Sequence, residues 1–256
     1  MSEPIWLKRR ALPLIVAHRG SSALAPENTL ASFRRALHDG CDAIELDARL
    51  TRDGMVVVFH DARLGRTAPG NGRIEDRTFL ELRRLSAGKW FHPEFEEERI
   101  PTLEEVYGLI EGRIGINVEL KQPRRGGARH DLVDRCMKIA RAHRAESLSL
   151  FSSFDHRLVR RLKKDHPDVV AGILVRPFSL RKRSAIGLAH SIHAEYLVVG
   201  STTLRKRLVN EAHHHELLLG EYTVNTRMRA RRSLRFGVDA VFTDDPARLR
   251  KIIQGD

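Results

Sequence analysis

The stretch AIELDARLTRDGMVVVFHD, residues 43 to 61, is mostly apolar and β-branched, yet it carries Glu45, Asp47 and His60 inside or against its apolar runs. It reads as two strands in one hairpin-like piece, the first as nearly continuous in hydrocarbon as a strand buried on both faces must be. Successive strand side chains point to opposite faces, so Glu45 and Asp47 share one face and Leu46 opposes them. In NVELK, residues 117 to 121, Glu119 and Lys121 stand in the same relation about a leucine. Carboxylates gathered in a core are costly unless something compensates them. For each one alone, pairing with an Arg or Lys is a sufficient account, because structural ion pairs are common. As a set they favour a divalent cation, and oxygen ligands select Mg²⁺, Ca²⁺ or Mn²⁺ over zinc. Neither cysteine placement nor a His-x-x-x-His spacing suggests a softer metal.

Outward from this stretch, short apolar runs recur at 12–18, 114–121, 148–153, 169–175, 195–200, 217–224 and 239–243. Helical periodicity fills most of the gaps, for example at 29–39, 103–110, 131–142, 155–164, 203–212 and 226–235, several opened by a Thr or Asp suited to capping. Strands alternating with helices imply a parallel sheet, and about eight such units in ~250 residues make a (β/α)8 barrel. The count reaches eight when 54–60 is an extra strand paired with its predecessor. A doubly wound open sheet is the alternative, but no G-x-G-x-x-G loop follows an early strand. Residues 61–100 are polar, rich in Arg, Gly and Glu, and break the rhythm; a bare loop of that length is unusual, so they are expected to form a small inserted subdomain. Residues 1–256 are otherwise expected to make a single barrel domain.

His18 closes the first strand and His60 the third run. A lone His at a strand end is usually structural, but two at the C-terminal ends of barrel strands lie on the face where such barrels keep their active sites. An imidazole with an ordinary pKa of ~6.5 serves as acid or base in displacement at phosphorus. Arg19 follows His18, and two roles stay open for it: gripping a phosphate or pairing with Glu27.

The 256 residues carry 45 Lys and Arg against 33 Asp and Glu, a net charge of +12, which points to an anionic partner. Cys41 and Cys136 do not make a disulfide framework. The N-terminal Lys8-Arg9-Arg10 before an apolar run imitates a signal peptide but lacks a cleavage site, and no run reaches the ~20 apolar residues that span a bilayer. A cytoplasmic location is the expectation. The basic runs at 180–184, 204–208 and 227–235 read as outer faces of barrel helices and not as a nucleic-acid surface, since no aromatic platform accompanies them. Membrane contact is expected to be peripheral at most. The triple histidine at 213–215 reads as a solvated helix end.

The blocks HRG (18–20), PENT (26–29), IELD (44–47), VFHD (58–61), IPTLEE (100–105), NVELK (117–121) and FTDDP (242–246) run in the order found in the glycerophosphodiester phosphodiesterases, and the chain resembles that family over nearly its whole length. The resemblance implies a (β/α)8 barrel with an insertion after the second strand. It implies Mg²⁺ or Ca²⁺ held by Glu45, Asp47 and Glu119, His18 and His60 as general acid and base, and Arg19 and Lys121 on the phosphate. The implied reaction releases glycerol 3-phosphate and an alcohol from a small glycerophosphodiester. Where the family often has W-T-V-N, this chain has Tyr222-Thr223-Val224-Asn225, so Tyr222 supplies the aromatic wall with a narrower ring and an added hydroxyl. The family's L-x-R-T-T appears as Leu64-Gly65-Arg66-Thr67-Ala68. A lipid phosphodiesterase would want a hydrophobic lip, for which residues 89–95 are the candidate. A non-catalytic binding barrel would have lost a ligand or a histidine, and none is lost.

Overall fold

The computed structural model describes residues 4–8, 10–122, 128–176 and 185–255, with the backbone alone for 128–130. The strands are β1 (Leu14–His18), β2 (Ala43–Leu50), β3 (Val56–Val58), β4 (Gly115–Leu120), β5 (Ser149–Ser153), β6 (Val170–Val175), β7 (Tyr196–Gly200), β8 (Leu218–Tyr222) and β9 (Ala240–Thr243). The helices are α1 (Leu30–His38), α2 (Phe79–Arg83), α3 (Leu103–Ile110), α4 (Ala128–Ala142), α5 (His156–Asp165), α6 (Ala185–Ser191), α7 (Lys206–His214), α8 (Arg227–Phe236) and α9 (Pro246–Gln254). Eight strands pair in parallel in the order β1-β9-β8-β7-β6-β5-β4-β2, and a further β1–β2 pairing closes the ring into a (β/α)8 barrel. β3 stands outside it, antiparallel to β2, with Ala48 opposite Val58 and Leu50 opposite Val56.

Each barrel strand is buried on both faces, which is why it reads as continuous hydrocarbon. Outward residues such as Ile44, Leu46, Val118, Phe151, Ile173 and Leu219 pack under the helices in the larger core. Inward residues such as Leu14, Val16, Leu150, Val170, Tyr196 and Phe242 fill the barrel itself. At the N-terminal mouth Trp6 is fully buried, its Nε1 donating to the Leu148 carbonyl at 2.9 Å while the Tyr196 hydroxyl donates to the Trp6 carbonyl at 2.8 Å. Gly115 makes room for this plug: a Cβ there would lie 3.3 Å from the Trp6 ring and 3.1 Å from Ala43 Cβ.

The expected caps are in place at Thr29, Asp155 and Thr226, and Thr102 caps α3 as well, each accepting a backbone N–H from the first turn. The helix expected from residue 203 begins instead at Lys206, because Thr203 and Leu204 donate their N–H groups back to the Gly200 carbonyl in a turn that closes β7. α6 and α9 complete the alternation of strands with helices; α9 opens with Asp245 as cap and Pro246 in its first turn.

Residues 61–100 hold α2 and two 3₁₀ turns around a small core of Ile74, Leu82 and Ile100, which packs on Val57 and Phe59 beside β3. Arg83 fastens this segment to α3 through two bonds to Glu105, at 2.8 and 2.6 Å. The aromatics of 89–95 stack edge to face on one another, with Trp90 44% exposed. The triple histidine ends α7, where His213 bonds Asp239 at 2.8 Å. The basic run 227–235 is α8, whose Ala230 and Ser233 face the barrel. The run 180–184 lies outside the described residues. No helix among the described residues is long and apolar enough to cross a membrane.

Candidate active site

At the C-terminal ends of the strands the inward residues change from hydrocarbon to ionisable groups. The register sets His18 beside Glu45, and Asp47 beside Glu119, across the neighbouring pairs β1–β2 and β2–β4. A cavity of about 270 Å³ opens there. His18, Arg19, Glu45, His60, Glu119 and Lys121 line one side, and Phe154, Leu174, Val198, Tyr222 and Phe242 the other. Every residue singled out from sequence for the site lines this cavity except Asp47, which lies directly beneath it, fully buried against Lys121.

Glu45, Asp47 and Glu119 each offer a carboxylate oxygen within 4.8 Å of the other two. Lys121 Nζ lies 2.8 Å from Asp47 Oδ1 and bonds Glu119 Oε1 at 2.5 Å. Asn28 donates to Asp47 Oδ2 at 2.7 Å, and the Arg19 backbone N–H donates to Glu45 Oε2 at 2.9 Å. Arg19 and Asn28 both adopt the left-handed conformation, φ 59° and 58°, which turns the first βα loop back under the carboxylates. The Arg19 guanidinium bonds Glu27 at 2.8 Å and sets its Nε 3.4 Å from Asp47 Oδ2, so the pairing with Glu27 is the role visible here.

Three carboxylates thus face two cations, and the surplus shows in their acidities. Burial and the neighbouring Asp47 charge push Glu45 up to about 8. Burial also raises Glu119 in spite of Lys121. Asp47 moves the other way: burial opposes its charge, but Lys121 and Arg19 together hold it well below the usual carboxylate range. Asp47 Oδ1, fully buried, meets only the Lys121 ammonium, at 2.8 Å, among the described residues. A buried, oxygen-only trio with one negative charge in excess suits a hard divalent cation.

Each histidine is backed by its own carboxylate. His18 Nδ1 lies 2.7 Å from Asp244 Oδ1, and Asp244 also accepts from Ser22 Oγ at 3.2 Å and from the Asn225 amide. His60 Nδ1 lies 2.7 Å from Asp61 Oδ1. Such a partner fixes the tautomer and leaves Nε2 for chemistry. Burial lowers the pKa of both rings. For His18 the bond to Asp244 and the charge of Glu45 outweigh it and the net shift is upward. For His60 burial prevails, with Lys121 and Arg19 adding to it against Asp47, and the net shift is downward.

Sequence reasoning gave no role to Asp244, Asp61, Asn28 or Arg66. The first three sit inside the quoted blocks FTDDP, VFHD and PENT, which was the available signal. Arg66 sits in the inserted segment. It forks onto Glu27 with two bonds of 2.8 Å, and its Nε donates to Asp61 Oδ2 at 2.6 Å. One guanidinium therefore braces both the carboxylate that holds Arg19 and the one that holds His60.

Fold and site together define a (β/α)8 phosphoric diester hydrolase. The sequence model of the glycerophosphoryl diester phosphodiesterase family matches residues 18–248. A glycerophosphodiester phosphodiesterase of Caldanaerobacter subterraneus subsp. tengcongensis is 35% identical over 248 residues, which cover 94% of this chain and 98% of that one. One from Bacillus altitudinis is 35% identical over 93% of this chain and 97% of its own. A phosphodiesterase of Oleispira antarctica, solved in complex with the product sn-glycerol-3-phosphate, superposes with a TM-score of 0.87 at 32% identity, covering 95% of this chain and 98% of that one. The chain belongs to the glycerophosphoryl diester phosphodiesterase family.

Proposed function

We propose that the protein is a metal-dependent glycerophosphodiester phosphodiesterase, releasing glycerol 3-phosphate and an alcohol. The observation that carries this reading is the placing of the carboxylate trio between two carboxylate-backed histidines on one cavity. The 32% identical Oleispira enzyme, which holds sn-glycerol-3-phosphate, supports the substrate class. Residues 61–100 act in this reading as an inserted subdomain of one catalytic barrel.

Glu45, Asp47 and Glu119 would hold Mg²⁺ or Ca²⁺, which when bound would supply positive charge at the phosphate and acidify a nearby hydroxyl. Arg19 and Lys121, beside the carboxylates on the cavity wall, add their charge on the phosphate. His60, whose pKa burial shifts downward, takes the proton of the glycerol 2-hydroxyl as its oxygen attacks phosphorus. His18, whose pKa Asp244 and Glu45 shift upward, gives its proton to the departing alcohol oxygen. The cyclic phosphate so formed is opened by water with the two roles exchanged, His18 accepting and His60 donating. Tyr222 and Phe154 wall the cavity on the far side from the carboxylates.

The test is release of glycerol 3-phosphate from glycerophosphocholine and glycerophosphoglycerol with Mg²⁺, with Ca²⁺ and with EDTA. Metal-dependent release from either supports the reading. Turnover of a lysolipid alone, or release undiminished by EDTA, overturns it.

A further inference from the structure

Once the carboxylates and histidines have their places, half of the cavity remains: the wall of Phe154, Leu174, Val198, Tyr222 and Phe242. Phe154 and Tyr222 meet edge to face, with ring centroids 6.2 Å apart. An aromatic corner of this kind suits a quaternary ammonium, which aromatic faces attract. The Arg176 guanidinium lies over the Phe154 ring, 5.3 Å from its centroid. Its charge also reaches the Tyr222 hydroxyl, whose pKa burial and Glu119 raise and Arg176 pulls back.

A second guanidinium stands at the same rim. Arg229 Nη1 donates to the carbonyl of Thr223, itself a lining residue, at 3.1 Å. No described carboxylate lies within ion-pair distance of Arg229. Asp155, which follows Phe154, is turned away to cap α5 and to bond Arg157 at 2.8 Å. The strand ends on this side therefore present hydrocarbon edged with positive charge, whereas the opposite side gathers three carboxylates.

Resting on the function proposed above, we infer that this wall is a selectivity site for the alcohol, and that it rejects cationic headgroups through Arg176. The substrates it takes are glycerophosphodiesters whose alcohol is an uncharged polyol or carries net negative charge. A choline or ethanolamine group entering the corner meets a like charge, which acts as a repulsive element against the wrong substrate. A polyol meets guanidinium N–H donors and the Tyr222 hydroxyl, all able to hydrogen-bond it.

The experiment compares glycerophosphoglycerol with glycerophosphocholine, by kcat/KM and by calorimetric binding, for the wild type, Arg176→Gln and Arg176→Lys. The wild type is expected to favour the glycerol ester by about tenfold or more, with the ratio narrowing as salt rises. Arg176→Gln should bring the ratio to within about threefold by admitting the choline ester, and Arg176→Lys should keep most of it. Equal or better use of glycerophosphocholine by the wild type overturns the inference, and so does a ratio that Arg176→Gln leaves in place. Absence of turnover on both esters defeats the function proposed above, and the ratio of binding affinities then still decides the selectivity.

Discussion

At the N-terminal mouth of the barrel the inward residues are Leu14, Ala43, Gly115 and Tyr196, and Trp6 lies buried across them. One or two inward positions further along the same strands stand His18, Glu45, Asp47 and Glu119. The first end excludes water with hydrocarbon and satisfies its few polar atoms, as the Trp6 and Tyr196 bonds show. The second end keeps a surplus buried carboxylate, with Glu45 raised to about 8. Only an unrelieved charge of this sort has affinity left over for a cation and a phosphate. A barrel can carry it because the opposite mouth contributes burial without such cost.

The largest effect should come from breaking the charged end. His18→Ala and His60→Ala are each expected to lower kcat by about 10²–10⁴, with melting temperature little changed, as steady-state kinetics and thermal melts can check. The sealed end should answer in the opposite sense. Trp6→Ala is expected to cost about 3–5 kcal/mol in denaturant unfolding while the folded fraction keeps its kcat. A kcat that falls as much as stability would mean that the two ends are mechanically coupled.

Removal of divalent metal should touch both properties. EDTA is expected to abolish turnover and also to lower the melting temperature. Cation at a hundredfold excess over its Kd is worth about 2.7 kcal/mol to the folded state. A melt unchanged by EDTA would mean that the trio is content without a cation. Arg66→Ala is expected to lower kcat by about tenfold through loss of alignment of His60 and Arg19, with part of the loss restored in Arg66→Lys. A change in KM or melting temperature alone would reduce Arg66 to a fastener of the inserted segment.

The smallest effect is one of position on the pH axis. Burial lowers the pKa of His60, and Lys121 and Arg19 lower it further, so its neutral, proton-accepting form persists below 6.5. A bound cation acts in the same direction. The acid limb of kcat/KM should therefore fall below pH 6.5, and a limb above that value would remove His60 as the base.

The parallel barrel was legible in the sequence because every strand had to be apolar on both faces, and the carboxylate cluster because Glu45 with Asp47, and Glu119 with Lys121, interrupt that rule at spacings of two. His18 and His60 were legible by their place at the ends of such runs. Asp244 was not given its role, since its partner His18 lies 226 residues away and only closure of β1 on β9 brings them together. Asp61 is adjacent to His60 in the chain, but a carboxylate after a histidine has no orientation until the backbone supplies one. The start of α7 was misplaced because the turn on Gly200 uses backbone N–H groups, which no side-chain pattern reports. Trp6 escaped notice as a plug for a similar reason: its environment comes from Tyr196 and Leu148, both far along the chain.

Arg66 also bears on how such enzymes diversify. Loops at the open end of a barrel are commonly regarded as exchangeable cassettes, free to be lengthened or traded while the scaffold keeps the chemistry. The segment carrying Arg66 is not free in that sense, because one guanidinium in it supports Glu27 on the first loop and Asp61 beside His60. A transplanted segment that lacked a cation at that point would fold onto the barrel and leave a well-formed but poorly aligned catalyst. Exchange of this cassette is therefore constrained by that side chain as well as by its packing on the barrel.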